Sequence, residues 1–379
     1  MPVRTSPSPG IAVTAFTAAL VAGLAGCSGA SSTGEAKPGA AAAATPSGQV
    51  PAPAGSASGA GSGSAPATLQ GLEAAYTSLV KQTLPSVVEI RTSGGLGSGV
   101  VFDDQGDVVT NAHVVADATS FQVVLAGNNQ QLPARLVGTY PPDDLAVIKL
   151  TGARSLHPAR FGDSSKVAVG DIVLAMGSPL GLSSSVTNGI VSAVGRTVSE
   201  PAGASSPGAV LPQAIQTSAP INPGNSGGAL VDISGQVIGL PTLAAVDPQV
   251  GQGGSAAPGI GFAVPSNIVR DIAGQLIAGG GRVTNSHRAA LGISAAALVD
   301  PSGNPQGVGV QSVRQGGPAD RAGIRAGDVI TSVAGQQVPD PATLSTVLAT
   351  LNVGQTVPVV VQRDGASRTV QVTLGDLGS

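Results

Sequence analysis

The chain has 379 residues and a net charge of −3, with charged side chains making up only 10% of it, which gives no sign of nucleic-acid binding. One cysteine, Cys27, excludes an intrachain disulfide, and the length calls for two or three folded units. With no Trp, two Tyr and five Phe, the core must be built from Val, Ile, Leu and Ala.

The chain opens with Arg4 and then an apolar stretch from Ile11 to Leu24, short for a membrane span. Leu24-Ala25-Gly26-Cys27 closes it and looks like a bacterial lipobox. Residues 1–26 therefore read as a lipoprotein signal peptide and Cys27 as the lipidated mature N-terminus. The plainer alternative is an ordinary signal peptide and a secreted protein. The first reading places the protein on the envelope side of a bacterial plasma membrane, where each buried acyl methylene adds about 0.8 kcal/mol of anchoring. Residues 27–68 are rich in Ala, Gly, Ser and Pro and hold too little apolar surface to offset ordering, which predicts a disordered tether. Its roughly 40 residues would hold the next unit on the order of 35 Å from the membrane.

Leu69, Leu72, Ala75, Tyr76, Leu79 and Val80 recur at helical spacing and predict a short helix. From Val87 to Val264 the pattern is strand and turn. Val87–Ile90, Gly99–Phe102, Val108–Thr110, Phe121–Leu125 and Ala134–Val137 form a first set. Asp171–Ala175, Gly189–Val194, Ala229–Asp232, Gln236–Leu240 and Ile260–Val264 form a second. Two sets of short strands fit two packed antiparallel barrels. Ser266 is placed as the cap of a helix with Ile268, Val269, Ile272, Leu276 and Ile277 inward, ended by Gly279-Gly280-Gly281.

Three segments carry the chemistry. Asn222-Pro223-Gly224-Asn225-Ser226-Gly227-Gly228 sets a serine in a glycine-rich loop between apolar runs. Gly224 and Gly227 permit positive-φ geometry that can aim amide N–H groups at one point; taken alone, such a loop would be a hairpin turn. A serine hydroxyl needs a neighbouring base and donors for the developing oxyanion. Of the three histidines, His157 lies in a turn before Pro158 and His287 in a linker, both read as surface positions. His113, in Thr110-Asn111-Ala112-His113-Val114-Val115, follows an alternating apolar run and is placed at a strand end. Asp143 and Asp144 precede Leu145-Ala146-Val147-Ile148, giving the order His, Asp, Ser.

These three blocks resemble the signatures of the HtrA/Deg family of trypsin-fold serine proteases, and the similarity runs from about Leu84 to the C-terminus. The resemblance implies a mainly β protein, with a trypsin-like double β-barrel protease domain over residues 69–280 and a PDZ domain over residues 285–379. It assigns the acid to Asp144, because the family's acid directly precedes the Leu-Ala-Val-Ile run. It implies His113 as base, Ser226 as nucleophile, and the N–H groups of Gly224, Asn225 and Ser226 as oxyanion donors. Gln216-Thr217-Ser218-Ala219-Pro220 departs from the family, which usually has an Asp and two alanines there.

Pro318-Ala319-Asp320-Arg321-Ala322-Gly323-Ile324 matches the central block of the family's PDZ domain, and Ala290-Leu291-Gly292-Ile293 stands at its carboxylate-binding loop. Leu291, Gly292 and Ile293 are the residues assigned to a peptide ligand. Asp340-Pro341 starts a helix with Leu344, Val347, Leu348 and Leu351 on one face. The implied function is a serine endopeptidase acting through an acyl-enzyme on unfolded or misfolded envelope proteins. Its PDZ domain would bind hydrophobic C-terminal peptides, and no cofactor or metal is called for. The segment before the first barrel often mediates trimer contacts in that family; Tyr76 is a candidate for this, with packing on the protease core its favoured role. The family's primary pocket takes small aliphatic side chains, and the segment from Leu240 to Leu243 with the Ser226 loop is expected to line it. The alternatives are a regulatory sensor protease with narrow substrate choice and an inactive, chaperone-like binding module.

Overall fold

A computed structural model of the chain describes residues 67–126, 129–178, 185–200, 209–222, 224–246 and 256–378. Cys27 and the expected tether as far as residue 66 lie outside the described residues, whereas residues 67 and 68, assigned to the tether, are helical. The first helix, α1, spans Ala67–Thr83, and a 3-10 turn at Leu84–Ser86 follows it. Leu79 is buried on α1, whereas Leu72 is 47% exposed.

The first barrel closes in the order β1-β2-β3-β6-β5-β4. Its strands are β1 (Val87–Arg91), β2 (Leu96–Val101), β3 (Asp107–Thr110), β4 (Ser120–Leu125), β5 (Gln131–Tyr140) and β6 (Leu145–Leu150). Phe121, Val123 and Leu125 alternate inward on β4 and join Val88, Ile90, Val108 and Ile148 in one aliphatic core. Period-two burial is what a strand with one packed face produces. Each such side chain fully buried contributes about 1.5–3 kcal/mol, and closure leaves no unpaired strand edge.

The second barrel closes in the order β10-β11-β12-β9-β8-β7. It comprises β7 (Ile172–Gly177), β8 (Ser185–Glu200), β9 (Ala209–Thr217), β10 (Ala229–Asp232), β11 (Val237–Val246) and β12 (Ala256–Pro265). Between β3 and β4 lies one helical turn, α2 (Ala112–Val115), and this corrects the placement of His113 at a strand end. Val114 and Val115 favour strands, but the Ala112 N–H donates to the Asp144 carbonyl at 3.1 Å and the Val114 N–H to that of Asn111 at 3.2 Å, which curls the backbone.

The helix after the second barrel, α3 (Ser266–Ala278), buries Val269, Ile272, Ala273 and Leu276. Its expected cap is also corrected. The Ser266 hydroxyl donates to the Gly162 carbonyl at 2.9 Å, and the N-cap position belongs to Pro265. The helix ends as expected: the Gly281 N–H reaches back to the Leu276 carbonyl at 2.7 Å with φ at +92°, a conformation suited to glycine.

In the C-terminal part, β14 (Ile293–Val299), β15 (Pro305–Val313), β16 (Val329–Val333), β18 (Thr356–Arg363) and β19 (Ala366–Thr373) form a sheet in that order, with β17 (Gln336–Gln337) beside β16. A second small sheet pairs β13 (Ala289–Ala290) with β20 (Gly375–Asp376). The helices are α4 (Pro318–Arg321) and α5 (Pro341–Ala349). The Asp340 carboxylate accepts the Thr343 N–H at 2.8 Å, the N-cap that the sequence signals. Val308, Ile330, Val359 and Val361 form its core with Leu344 and Val347 of α5.

Candidate active site

The site is assembled on Asp144. This residue follows the 3-10 turn Pro141–Asp143, has φ at +51° and is 2% exposed. A buried carboxylate must be hydrogen-bonded. One oxygen accepts the His113 N–H at 3.0 Å; the other lies 2.8 Å from His113 Nδ1 and accepts the Thr242 hydroxyl. The Asp144 carbonyl accepts the Ala112 N–H and, at 2.9 Å, the Asn111 side-chain amide. Aspartate and histidine are thus fixed to each other through both backbone and side chain.

Asp143 takes a different partner. Its carboxylate pairs with Arg288, just before β13, at 2.9 Å, and Arg288 also donates to the Pro142 carbonyl. Burial pushes the Asp143 carboxyl up to about 6, with the Arg288 charge opposing the shift. The two adjacent acids are therefore divided between the imidazole and the C-terminal part of the molecule.

Ser226 comes from the loop before β10. Its hydroxyl donates to the Thr242 carbonyl on β11 at 3.2 Å. Thr242 thus touches both the carboxylate of Asp144 and the hydroxyl of Ser226, bringing the first barrel's acid and the second barrel's serine to one place. Gly227, with φ at +79°, lets the loop approach the first barrel. A Cβ there would lie 2.3 Å from the Ser98 carbonyl oxygen and from Thr110 Oγ1. Gly224 has φ at +102°. The Asn225 N–H is engaged with the Asn222 carbonyl at 2.9 Å. Among the described residues, the N–H groups of Gly224 and Ser226 donate to no carbonyl.

Thr242 is the residue that the sequence left unassigned. It was expected only among segments lining a pocket, and a threonine inside an apolar strand gives no spacing signal. His287 is solvent-facing, 3.7 Å from Asp271 through its ring, and His157 is exposed; neither joins the site.

A groove of about 540 Å³ lies between β14 and α5, lined by Leu291, Gly292, Ile293, Leu344 and Leu348. The three residues predicted for a peptide ligand are brought together there. The Leu291 side chain is only 2% exposed and belongs mostly to the core. The carbonyls of Leu291 and Gly292 accept the N–H groups of Ala319 and Arg314, each at 2.9 Å.

Comparison with known proteins places these features. The trypsin-like peptidase domain pattern matches residues 97–240, and the PDZ domain pattern matches residues 283–374. The Serine protease Do-like HtrA of Lactococcus lactis is 40% identical over 296 residues, which cover 73% of this chain and 70% of that protein. This chain belongs to the HtrA family of trypsin-like serine endopeptidases carrying a PDZ domain. A probable periplasmic DegP-like serine endoprotease of Brucella suis is also 40% identical, but the match spans only 52% of that longer HtrA relative. Among solved HtrA structures, the protease AlgW with a decapeptide superposes with a TM-score of 0.52 at 31% identity, covering 79% of this chain and 98% of that one. The serine endoprotease from Yersinia pestis gives 0.52 at 33% identity, covering 80% and 98%.

Proposed function

We propose that Ser226 attacks the carbonyl of a peptide bond, that His113 takes its proton and returns it to the leaving amine, and that Asp144 holds the imidazole tautomer and stabilises the imidazolium. The observation that carries this reading is the double attachment of His113 to Asp144, with Thr242 joining that carboxylate to the Ser226 hydroxyl. Nδ1 facing the carboxylate leaves Nε2 as the proton-transfer nitrogen. Of the three expected oxyanion donors, the Asn225 N–H is engaged in its own turn, so stabilisation rests on Gly224 and Ser226. Water then hydrolyses the acyl-enzyme by the same route in reverse.

Its substrates are unfolded or misfolded proteins of the bacterial envelope, in keeping with the periplasmic name of the Brucella relative. Cleavage follows small aliphatic residues. Ile221 packs against Gly261 close to the nucleophile loop, where a Cβ on Gly261 would meet Ile221 Cγ1 at 2.4 Å. Hydrophobic C-terminal peptides bind the groove between β14 and α5 as an added strand, their carboxylate meeting the N–H groups of the Leu291–Ile293 loop. The peptide-bound AlgW structure is the relevant likeness. Cys27 carries a lipid anchor, and a homotrimer assembles through the segment before the first barrel, where Tyr76 itself packs on the core.

The test is casein cleavage by the full chain, with and without a hydrophobic C-terminal peptide. Wild type cuts casein, and the Ser226→Ala variant loses on the order of 10⁵–10⁶ in kcat. Cleavage by that variant at the wild-type rate would overturn the reading.

A further inference from the structure

Ser98, on β2, is fully buried, and every polar group it owns is engaged. Its N–H donates to the Ser226 carbonyl at 2.9 Å, and its own carbonyl accepts the Thr110 hydroxyl at 2.6 Å. Its hydroxyl accepts the Ser178 N–H at 2.8 Å and donates to the Gly224 carbonyl at 2.5 Å. Because one lone pair of that hydroxyl is occupied by Ser178, its proton is directed at Gly224. A strand of the first barrel thus grips the nucleophile loop of the second at residues 224 and 226.

Behind Ser98 stands a carboxylate. Glu89 is the residue directly opposite Ser98 across the β1–β2 ladder and is 3% exposed. One of its oxygens pairs with the Arg91 guanidinium, and the other accepts the Ser178 hydroxyl at 3.2 Å. A charge buried in a barrel wall is costly unless it is paired and hydrogen-bonded. Here its partners lead through Ser178 and Ser98 to the Gly224 carbonyl.

The Gly224 carbonyl and the Asn225 N–H form one peptide unit, which lies between the units that carry the two donors. Its orientation therefore sets how the Gly224 and Ser226 N–H groups converge on one spot before the oxyanion forms, so that no reorganisation is needed during reaction. Gly224 sits at a positive φ that leaves its backbone few steric constraints, so orientation has to come from outside. The Asn225 N–H bond to Asn222 holds one end of that peptide unit, and the Ser98 hydroxyl holds the other through the Gly224 carbonyl. Gly177 makes room for this clamp, since a Cβ there would lie 2.7 Å from Asn225 Cα and 3.0 Å from Ser98 Oγ.

We infer that Ser98, held by Ser178 and Glu89, is a positioning residue that sets the oxyanion loop of this protease through the Gly224 carbonyl. The inference rests on the catalytic reading above. Its test measures kcat and KM of the full chain on a chromogenic peptide, together with the affinity of a peptide boronic acid, whose tetrahedral adduct on Ser226 needs the same donors. Removing one oxyanion donor outright costs about 10²–10³ in kcat, so loosening the clamp through Ser98→Ala is expected to cost about 10–100-fold. KM stays within about 3-fold, and boronate affinity falls by the same factor as kcat. Ser178→Ala and Glu89→Gln lower kcat about 3–10-fold in the same pattern, since they act through Ser98. The double variant Ser98→Ala/Ser178→Ala is no slower than Ser98→Ala alone, as expected of residues in one chain of bonds.

An unchanged boronate affinity, a rise in KM with kcat intact, or additive effects in the double variant would each overturn the inference. Should Ser98→Ala fail to fold, Ser178→Ala, which keeps the residue 178 N–H, carries the test alone. An inactive wild type, or a Ser226→Ala variant as active as wild type, defeats the catalytic reading itself. An active wild type indistinguishable from Ser98→Ala defeats only the positioning role.

Discussion

The seam between the two barrels and the interior of the PDZ domain are both tightly buried, yet they are built from different materials. At the seam, Ser98, Thr110, Asn111, Asp144 and Thr242 are all at most 3% exposed, and hydrogen bonds hold them. In the PDZ domain the corresponding places are filled by Val308, Ile330, Val359 and Val361. Aliphatic packing tolerates small shifts because it is not directional, whereas a hydrogen bond weakens steeply with angle. A site that moves a proton needs the hydrogen-bonded construction, and a groove that accepts an apolar peptide can be made from aliphatic packing. Substitutions in the two regions should therefore fail differently.

The largest effect expected is at the seam. Asp144→Asn keeps the volume but presents the wrong partner to His113 Nδ1, and should lower kcat by about 10⁴ with little change in melting temperature. A loss of stability with kcat intact would erase the contrast between the regions. Ile330→Ala in the PDZ core should do the reverse. It should cost about 2–5 kcal/mol in a thermal or denaturant unfolding measurement, while kcat on a small ester at 25 °C stays within about 2-fold.

Where the two regions meet, Asp143 gives a pH-dependent prediction. Its carboxyl is raised from 3.8 to about 6 by burial, so the folded state holds this proton more tightly than the unfolded one. Its contribution to stability is fully present below pH 3.8 and is lost as pH rises through about 6. Asp143→Asn removes that loss. The stability of the variant relative to wild type should therefore improve between pH 4 and pH 7 by about 1–3 kcal/mol in urea unfolding. A difference independent of pH would mean that Asp143 is ionised throughout. The smallest effect is Thr242→Val, which removes one of the three hydrogen bonds to the Asp144 carboxylate and should lower kcat about 10-fold.

The proposed roles of His113, Asp144 and Ser226 come from the sequence, because each sits in a short segment whose neighbours are constrained with it. The two strand sets and the Asp340-Pro341 helix start were legible from period and capping chemistry. Thr242 was not, since a hydroxyl on an apolar strand looks like any half-buried threonine until folding sets Asp144 beside it. Ser98 was hidden for the same reason: its four bonds run to residues 80 to 128 positions away, apart from Thr110. The helical turn at His113 was misread because Val114 and Val115 favour strands, while the bonds that curl it come from Asn111 and Asp144. The engagement of the Asn225 N–H with Asn222 depends on a local turn that residue identities alone do not specify.

The most direct measurement of the central claim is the site of covalent labelling by a fluorophosphonate, mapped by peptide mass spectrometry and followed alongside casein cleavage. A single adduct on Ser226 is expected, with activity falling in proportion to its formation and no adduct on the Asp144→Asn variant over the same interval. Continued cleavage by fully labelled protein, or loss of activity through modification of a different serine, would contradict the account.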